Sequence, residues 1–410
     1  MSLNRYLKRY ASLAASALLL CGVMNYALAA DTPPPAKKYK IFLSLSYSGN
    51  NWMSETANII KSLAKTPPYD KMVDLEEVIS GTDPQAQISA YESMIAAKAD
   101  GIISFPISPT ALNRVVRRGC SQGVKFFMFD STVTEKCAYN ISYITAGAGE
   151  NMAQFLVNTL GGKGKIFMNR GVPGTSVDKR HYDGAMHIFS QYPNIKVVSE
   201  YYGYWDDRIS QRETAKALAA HPDVDGIWSE LGEAGVLNAV ADRKGKMMPI
   251  TGENMNGFRL GFINDDYRKR GLTGVSAGSP PATAGYAFKL MMEVLTGKRK
   301  LEPINVEYPL PWATADQIKL CKGSTIADGC NVFAGNLVPE GFSTEIYNPT
   351  LLPEVTLDSA LKGTPTPGMT IQPLPAAIVK APDEPGINCE HCQPPVDQYR
   401  LTKVTATVQP

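Results

Sequence analysis

The chain has 410 residues, with 41 Lys and Arg against 39 Asp and Glu, so its formal net charge is only +2. This near balance disfavours nucleic acid or an anionic membrane surface as the main partner, because such partners usually draw on a clear basic excess. The length is sufficient for two domains of ordinary size, each with a substantial core.

The N-terminus predicts an export signal over residues 1–29. Basic residues precede an apolar run over 11–21, and Ala27-Leu28-Ala29 supplies a small-residue cleavage site. The apolar run is shorter than the roughly 18 residues that a membrane-spanning helix needs. We therefore exclude these residues from the fold and expect the mature protein in the periplasm.

Seven cysteines are present, and removal of Cys21 with the signal leaves an even set, which indicates disulfides in an exported chain. Spacing along the chain suggests three local pairs, although many connectivities are possible. The first pair brackets the predicted strand at 124–129. Because another parallel strand begins at Ile141, the chain must return by Cys137 to the sheet edge where the helix-end residue Cys120 lies, which makes a bond geometrically reasonable. The expected pairs are Cys120 with Cys137, Cys321 with Cys330, and Cys389 with Cys392.

The Cys389-Glu390-His391-Cys392 sequence could instead be a redox dithiol or half of a metal site. A redox dithiol belongs at the start of a helix after a strand, whereas this motif lies among prolines. A metal site would need a second pair of ligands close by in the sequence, and none is found there. A small structural disulfide is the favoured interpretation.

From Lys40 to about Gly278, short apolar runs alternate with longer amphipathic stretches, which is typical of parallel sheets covered by helices on both faces. A glycine-rich segment at 161–164 divides the pattern into two series. The first series of predicted strands lies at 40–45, 73–79, 101–105, 124–129 and 141–146, and the second at 165–169, 195–200, 226–228, 248–252 and 272–277. The sequence therefore predicts an α/β protein with two doubly wound units in tandem.

Ligands of doubly wound sheets bind beyond the carboxyl ends of the strands, so the loops that follow the strands are the predicted functional edge. If the two units face each other, these loops converge on one cleft. From about Pro311 onward regular patterning fades and proline becomes frequent. We expect this C-terminal extension to be irregular, and either draped on the body or partly disordered.

Several short motifs, in this order and spacing, resemble the type I periplasmic substrate-binding proteins of ABC importers, in the ribose- and galactose-binding branch. They are Ser-Gly-Asn-Asn-Trp at 48–52, Ala-Asp-Gly-Ile-Ile-Ser-Phe-Pro at 99–106, Phe-Met-Phe-Asp-Ser at 127–131, Gly-Thr-Ser at 174–176, His-Pro-Asp-Val-Asp-Gly-Ile at 221–227 and Thr-Gly-Glu-Asn at 251–254. The resemblance covers about residues 40–310.

The resemblance implies two Rossmann-like lobes joined by a three-segment hinge near Gly147, Ser279 and Leu301. The first lobe would comprise 38–147 plus 279–300, the second 148–278 plus 301–310, and the irregular extension 311–410. Such proteins bind a small molecule in the cleft, close by hinge motion, and present the closed form to an ABC permease in the inner membrane.

The resemblance also indicates which residues would line the pocket. Asp130 and Trp205 match positions that bind and stack on the ligand, whereas Glu253 stands where an aspartate is usual. Sugars suit such a site because their hydroxyls need polar partners while their C–H faces stack on flat aromatics. The candidate ligand-binding residues are Tyr47, Asn51, Trp52, Phe105, Asp130, Arg180, His181, Trp205 and Glu253.

Three positions depart from the family's pattern. His181, with Arg180 beside it, replaces the arginine expected three residues before Gly184. Leu231-Gly232 stands in place of an Asn-Asp pair, and the last cleft strand ends in Ala277-Gly278-Ser279 without a long polar side chain. We therefore expect fewer charge-assisted hydrogen bonds and more aromatic or aliphatic wall than in a simple aldose site, which leaves a bulkier or less polar ligand open.

The preferred interpretation is a monomeric receptor that delivers a sugar or polyol to an ABC importer without a cofactor. The alternatives are a receptor for a sterol-like or aromatic ligand, or one that signals instead of delivering cargo. An exported enzyme is disfavoured because no G-x-S-x-G nucleophile elbow, zinc-binding H-E-x-x-H helix or P-loop is expected in the chain. Glu230 and Glu233, three residues apart at a helix start, are interpreted as complementing the helix dipole instead of forming an acid/base pair.

Overall fold

A computed structural model describes residues 37–143, 145–308, 310–326, 329–346 and 348–378, apart from the side chains of residues 145 and 146. The predicted export signal and the expected pair of Cys389 and Cys392 lie outside these residues.

Strands and helices alternate through most of the described chain. The strands are β1 (Tyr39–Leu45), β2 (Val73–Ile79), β3 (Gly101–Phe105), β4 (Lys125–Phe129), β5 (Tyr139–Ser142), β6 (Lys163–Arg170), β7 (Asn194–Tyr202), β8 (Gly226–Ser229), β9 (Ile250–Gly252), β10 (Gly274–Ala277), β11 (Asn305–Glu307) and β12 (Trp312–Thr314). The helices are α1 (Asn51–Ala64), α2 (Tyr69–Met72), α3 (Pro84–Ala96), α4 (Asn113–Ser121), α5 (Thr145–Thr159), α6 (Ser176–Phe189), α7 (Asp207–Ala220), α8 (Glu233–Asp242), α9 (Asn256–Phe262), α10 (Asp265–Lys269), α11 (Ala282–Leu295) and α12 (Leu357–Lys362).

Each predicted strand overlaps an observed one. The segment predicted as a strand over 141–146 is the largest misplacement: β5 ends at Ser142 and α5 begins at Thr145. None of the helices in the described part of the chain combines the length and the apolar character that crossing a membrane requires.

Within the described residues the strands form two six-stranded sheets, ordered β11-β5-β4-β3-β1-β2 and β12-β10-β9-β8-β6-β7. The first five strands of each series have the same spatial order, which is that of a doubly wound unit. The pairings are parallel except for the antiparallel pair of β10 and β12. The predicted architecture of two α/β lobes is confirmed.

The central strands form because their apolar side chains are covered on both faces. All five residues of β3 are buried, as are the last four of β4. The helices that follow the cleft-edge loops begin at side-chain caps: the Asn50 carboxamide accepts from Met53 N, and the Asp206 carboxylate accepts from Ile209 N. These caps satisfy amides that the first helical turn leaves without partners, and they fix where the loops end.

The chain passes between the two sheets three times, from β5 to α5, from β10 to α11, and from β11 to β12. The first two passages agree with the hinges expected near Gly147 and Ser279. The third lies after Glu307, not near Leu301, because β11 pairs with the edge strand β5 of the first sheet. The assignment of 301–310 to the second lobe was therefore wrong for β11. An edge strand leaves backbone groups unpaired, and β11 satisfies them.

The described part of the extension after Pro311 has little regular structure, as expected, and it lies on the body of the protein. It contributes β12 to the second sheet, and α12 packs against α1 of the first lobe. Its apolar side chains enter the main core, where Val332, Phe333 and Val338 are fully buried. This part of the chain is therefore a structural component of both lobes.

Residues 339–345 form a strap that joins the two lobes away from the hinge. On the first lobe, the Glu55 carboxylate accepts a hydrogen bond of 2.9 Å from Ser343 N. On the second lobe, Asn256 N donates to Phe342 O at 2.7 Å, and Ser343 Oγ donates to Asn254 Oδ1 at 3.1 Å. The strap therefore links the lobes through hydrogen bonds, in addition to the three passages of the chain between the sheets.

Two of the three expected cysteine pairs lie in the described chain, and both are bonded in the structure. Cys120 in the last turn of α4 is bonded to Cys137 ahead of β5, with their Cα atoms 6.4 Å apart. Cys321 and Cys330 close a short loop in the C-terminal extension.

Candidate functional site

Loops at the carboxyl ends of strands from both sheets meet in one cleft between the lobes, at the edge that strand polarity predicted. Several of the residues that line the cleft directly follow a strand, such as Asp130 after β4 and Glu253 after β9. Among the described residues, the cleft is lined by Tyr47, Asn50, Trp52, Phe105, Asp130, Val177, Trp205, Leu231, Glu253 and Ser279.

Four aromatic rings form one wall of this cleft. Tyr47 of the first lobe stacks on Trp205 of the second, with ring centroids 6.0 Å apart and planes 27° apart. Phe105 meets Trp205 edge-on at 6.2 Å and also contacts Trp52 at 6.0 Å. Both faces of the cleft therefore contribute flat apolar surface to the same point.

Hydrogen bonds at the ring edges hold these aromatics in place. Trp205 Nε1 donates to Glu230 Oε2 at 2.8 Å, and Trp52 Nε1 donates to the carbonyl oxygen of Ser279 at 2.9 Å. Trp205 also has a left-handed backbone with φ of 57°, a conformation that costs a non-glycine residue about 1 kcal/mol or more. Strain of this kind concentrates at functional sites.

Asp130 also lines the cleft and has a left-handed backbone, φ 62°. Its Oδ1 atom accepts a short hydrogen bond from the Ser279 hydroxyl. Burial raises the pKa of the Asp130 carboxyl to about 6, and the raising is limited by the Ser279 hydrogen bond and by nearby His181 and Arg180. Near neutral pH this carboxyl can either accept or donate hydrogen bonds.

Two further carboxyls, Glu230 and Glu253, are buried at the second-lobe side, and burial raises the pKa of each. Their Oε1 atoms lie 3.8 Å and 3.9 Å from Nδ1 of His181. Burial lowers the pKa of His181 to about 4, so its imidazole is neutral at pH 7. The Nε2 atom of His181 is 3.0 Å from the hydroxyl of Tyr143.

The structure brings six of the nine candidate residues to the cleft lining, and three lie elsewhere. Asn51 lies outside the cleft lining and packs against Gly341 of the strap. The contact is so close that a Cβ atom on residue 341 would lie only 2.6 Å from Asn51 Nδ2. Arg180 donates from Nη2 to Thr132 Oγ1 at 2.7 Å, beside the cleft and outside its lining. His181 is fully buried behind Glu253.

Sequence reasoning missed Asn50, Ser279 and Glu230. Asn50 was passed over for its neighbour, yet its Nδ2 lies 3.3 Å from both the Tyr47 hydroxyl and the Trp205 carbonyl oxygen. Glu230 was interpreted as a helix-dipole residue, but it is buried and holds the indole of Trp205. Its place directly after β8 was the signal available in the sequence.

The sequence Gly274-Val275-Ser276-Ala277-Gly278 matches the G-x-S-x-G pattern of hydrolase nucleophile elbows, so the expectation that the chain lacks this pattern was wrong. The geometry does not fit a nucleophile. Ser276 lies within β10, its hydroxyl donates to the carbonyl oxygen of Glu253 at 2.6 Å, and it accepts from Arg259 Nε at 2.9 Å. The hydroxyl is therefore fully occupied in the interior of the second lobe.

The lining residues leave a cavity of about 20 Å³, which is room for about one water molecule. A sugar-sized ligand requires the first-lobe side of the cleft, with Tyr47 and Asp130, to move away from the second-lobe side, with Trp205 and Glu253. Because Tyr47 and Trp205 belong to different lobes, a rotation about the inter-lobe passages would separate these rings and open the cleft.

Two doubly wound lobes with a cleft at their strand ends define a two-lobed ligand-binding protein. The chain belongs to the periplasmic binding protein family, since the family model described as "Periplasmic binding protein domain" matches residues 41–299.

Relatives are similar at low identity. The chain is 25% identical over 228 residues to the xylitol-binding protein of Mycolicibacterium smegmatis, covering 53% of this chain and 65% of that protein. It is 24% identical over 277 residues to the ribose import binding protein of Bacillus subtilis, covering 67% and 87%. Among solved structures, the periplasmic binding protein component of the arabinose ABC transporter from Shewanella sp. ANA-3 has a TM-score of 0.60 at 19% identity, covering 68% of this chain and 92% of that one. The last comparison supports the fold.

Proposed function

We propose that the protein is a periplasmic receptor that captures a small hydroxylated ligand, a sugar or polyol, between its lobes and delivers it to an ABC permease. The observation that carries the proposal is the pairing of Tyr47 and Trp205, from opposite lobes, beside the carboxyls of Asp130 and Glu253. Flat rings suit the C–H faces of a sugar, and carboxyls accept hydrogen bonds from its hydroxyls.

The comparisons support this proposal at the level of ligand class. Both curated relatives are named as binding proteins, one for xylitol and one for ribose import. These names favour a non-catalytic role, export to the periplasm and a permease as the partner. Ligand binding would draw both lobes onto the same molecule, so closure and recognition would be one event.

A thermal-shift screen tests the ligand assignment. We expect xylitol, ribose, arabinose or a related polyol to raise the unfolding temperature of the purified protein, because a ligand that binds only the folded state stabilises it. A panel of apolar and aromatic compounds serves as the comparison. Stabilisation by that panel alone would contradict a sugar or polyol ligand.

The variant Trp205→Ala tests the pocket. Loss of the ring removes the stacking surface and the partner of Tyr47, so we expect the ligand-induced shift to disappear. Tyr204→Ala is the matched control, because Tyr204 is the adjacent aromatic, shares the left-handed backbone and is 48% exposed outside the lining. An unchanged shift in Trp205→Ala would show that the ligand binds elsewhere.

Solution scattering tests the motion. Because a sugar does not fit the present cavity, we expect the ligand-free protein in solution to populate a more open arrangement of the lobes, which the ligand then closes. We expect the ligand identified in the screen to reduce the radius of gyration. An identical scattering profile with saturating ligand would argue against hinge closure as the means of capture.

A further inference from the structure

The polar part of the cleft is acidic. Its lining includes the carboxyls of Asp130 and Glu253, and none of the lining residues is Lys, Arg or His. Glu230 stands directly behind Trp205 and adds a third carboxyl to the same region. Such a concentration of buried carboxyls is costly unless a partner compensates it.

Two polar atoms at this place have no hydrogen-bond partner among the described residues. They are Glu230 Oε1 and His181 Nδ1, and both side chains are fully buried. The Oε1 atoms of Glu230 and Glu253 both lie just under 4 Å from that same Nδ1 atom. Buried polar groups are normally satisfied, so orphan atoms beside a cleft point to a ligand group that completes them.

The nearby protein cations are already engaged elsewhere. Arg170 pairs with Asp178 at 2.7 Å and with Glu200 at 2.8 Å. Arg180 donates to the hydroxyl of Thr132 and offsets part of the charge of Asp130. Without a cationic partner, burial keeps the pKa of Glu230 and Glu253 raised, and a cationic ligand is the kind of partner that would allow these carboxyls to ionise.

The aromatic wall favours the same kind of ligand. A cation within about 6 Å of an indole or phenol face is attracted by the ring quadrupole. Trp205 and Tyr47 present such faces next to the carboxyls. The described residues contain no cluster of His, Cys, Asp or Glu arranged to hold a metal ion, which makes an organic cation the better match.

We propose that the cleft selects a hydroxylated ligand that carries a protonated amine, such as an amino sugar or an amino polyol. This inference rests on the proposed function and narrows its ligand class. The ammonium group donates a hydrogen bond to Glu253 in the lining, Glu230 adds its charge from behind Trp205, the positive charge is shared with the aromatic faces, and the hydroxyls are left for Asp130 and Asn50.

Titration calorimetry on matched pairs tests the inference. The probes are 1-amino-1-deoxy-D-sorbitol against D-sorbitol, and D-glucosamine against D-glucose, with xylitol and ribose measured alongside. We expect the amine of at least one pair to bind roughly tenfold or more tightly than its neutral counterpart, because charge-assisted hydrogen bonds are about twice as strong as neutral ones.

The variant Glu230→Gln keeps an acceptor for Trp205 Nε1 and removes one charge. We expect this variant to lower the ratio between the affinity for the amine and the affinity for its neutral counterpart by about tenfold. Asp223→Asn removes the same charge from the surface of the second lobe, where Asp223 is exposed, and should leave the ratio unchanged.

The outcomes separate the two proposals. Neutral members that bind as tightly as the amines, or an unchanged ratio in Glu230→Gln, would overturn the amine inference and leave the proposed function intact. Absence of binding by every amine and every neutral sugar or polyol would refute the proposed function and the inference with it.

Discussion

Glu354→Ala is expected to lower the free energy of unfolding by about 3–5 kcal/mol, because it leaves a buried ammonium group without its counter-ion. Lys289 of α11 and Glu354 of the C-terminal extension are 1% and 0% exposed, and Lys289 Nζ lies 2.7 Å from Glu354 Oε1. The same Nζ donates to the carbonyl oxygen of Leu351 at 2.7 Å. Urea unfolding at pH 7, followed by circular dichroism, measures the change.

A matched control lies in the neighbouring helix. Lys362 and Asp358 of α12 form an ion pair with both side chains 64% exposed, and Asp358→Ala should change the free energy of unfolding by no more than about 0.5 kcal/mol. The double variant Lys289→Met with Glu354→Leu should recover much of the loss, because no charge is then buried. If Glu354→Ala lowers the free energy of unfolding by less than about 1 kcal/mol, the extension does not exclude water from this part of the first lobe.

Asp130→Asn is expected to stabilise the ligand-free protein above pH 6 by roughly 3 kcal/mol, and to have little effect near pH 4. Burial raises the pKa of Asp130 from 3.8 to about 6, so between these pH values the folded state binds more protons than the unfolded state. Stability from this group is present at low pH and is lost as pH rises through about 6. Each unit of the shift corresponds to about 1.4 kcal/mol, and asparagine does not titrate.

The variant must be compared with the wild type because the titration of His181 changes the free energy of unfolding with pH in the opposite direction to that of Asp130. Its pKa is lowered from 6.5 to about 4, so its contribution to stability grows as pH rises through that window. The groups that face Asp130 are Ser279, His181, Arg180, Tyr47, Tyr143 and Glu253. The difference between the two unfolding curves isolates Asp130.

Denaturant unfolding at several pH values from 4 to 8 measures this difference. Asp83→Asn is the control, because Asp83 is an exposed helix N-cap where asparagine serves as well. A constant difference between Asp130→Asn and wild type at all pH values would contradict a raised pKa at this site. A gain in stability with a loss of ligand affinity would mark Asp130 as a residue kept for binding at a cost in stability.

The inter-lobe strap gives the C-terminal extension a second structural role, which is to constrain how far the lobes can separate. Separation of the lobes at the cleft must move Ser343 relative to either Glu55 or Asn254, because it bonds to both. The extension therefore limits the range of opening as well as completing the core of the first lobe.

The sequence by itself determined the two tandem α/β lobes and the edge of each sheet, at the carboxyl ends of the strands, that faces the ligand cleft. Strands such as β3 and β4 are apolar on both faces because helices cover both sides of a parallel sheet. Burial on both faces can therefore be recognised from the local amino-acid composition. The direction of each strand then identifies the loops that can reach a ligand. The loops that carry Asp130, Trp205 and Glu253 were identified in this way, and the resemblance to periplasmic binding proteins then indicated these three residues.

Only the tertiary structure decided which neighbours face the cleft and where the last segments pack. The choice of Asn50 over Asn51 depends on the exact start of α1, and the position of Glu230 behind Trp205 depends on two strands brought together by folding. Likewise, β11 joins the first sheet because a distant edge strand needs a partner. Local patterns encode burial and period, whereas contacts between residues far apart in the chain are fixed by how the elements pack.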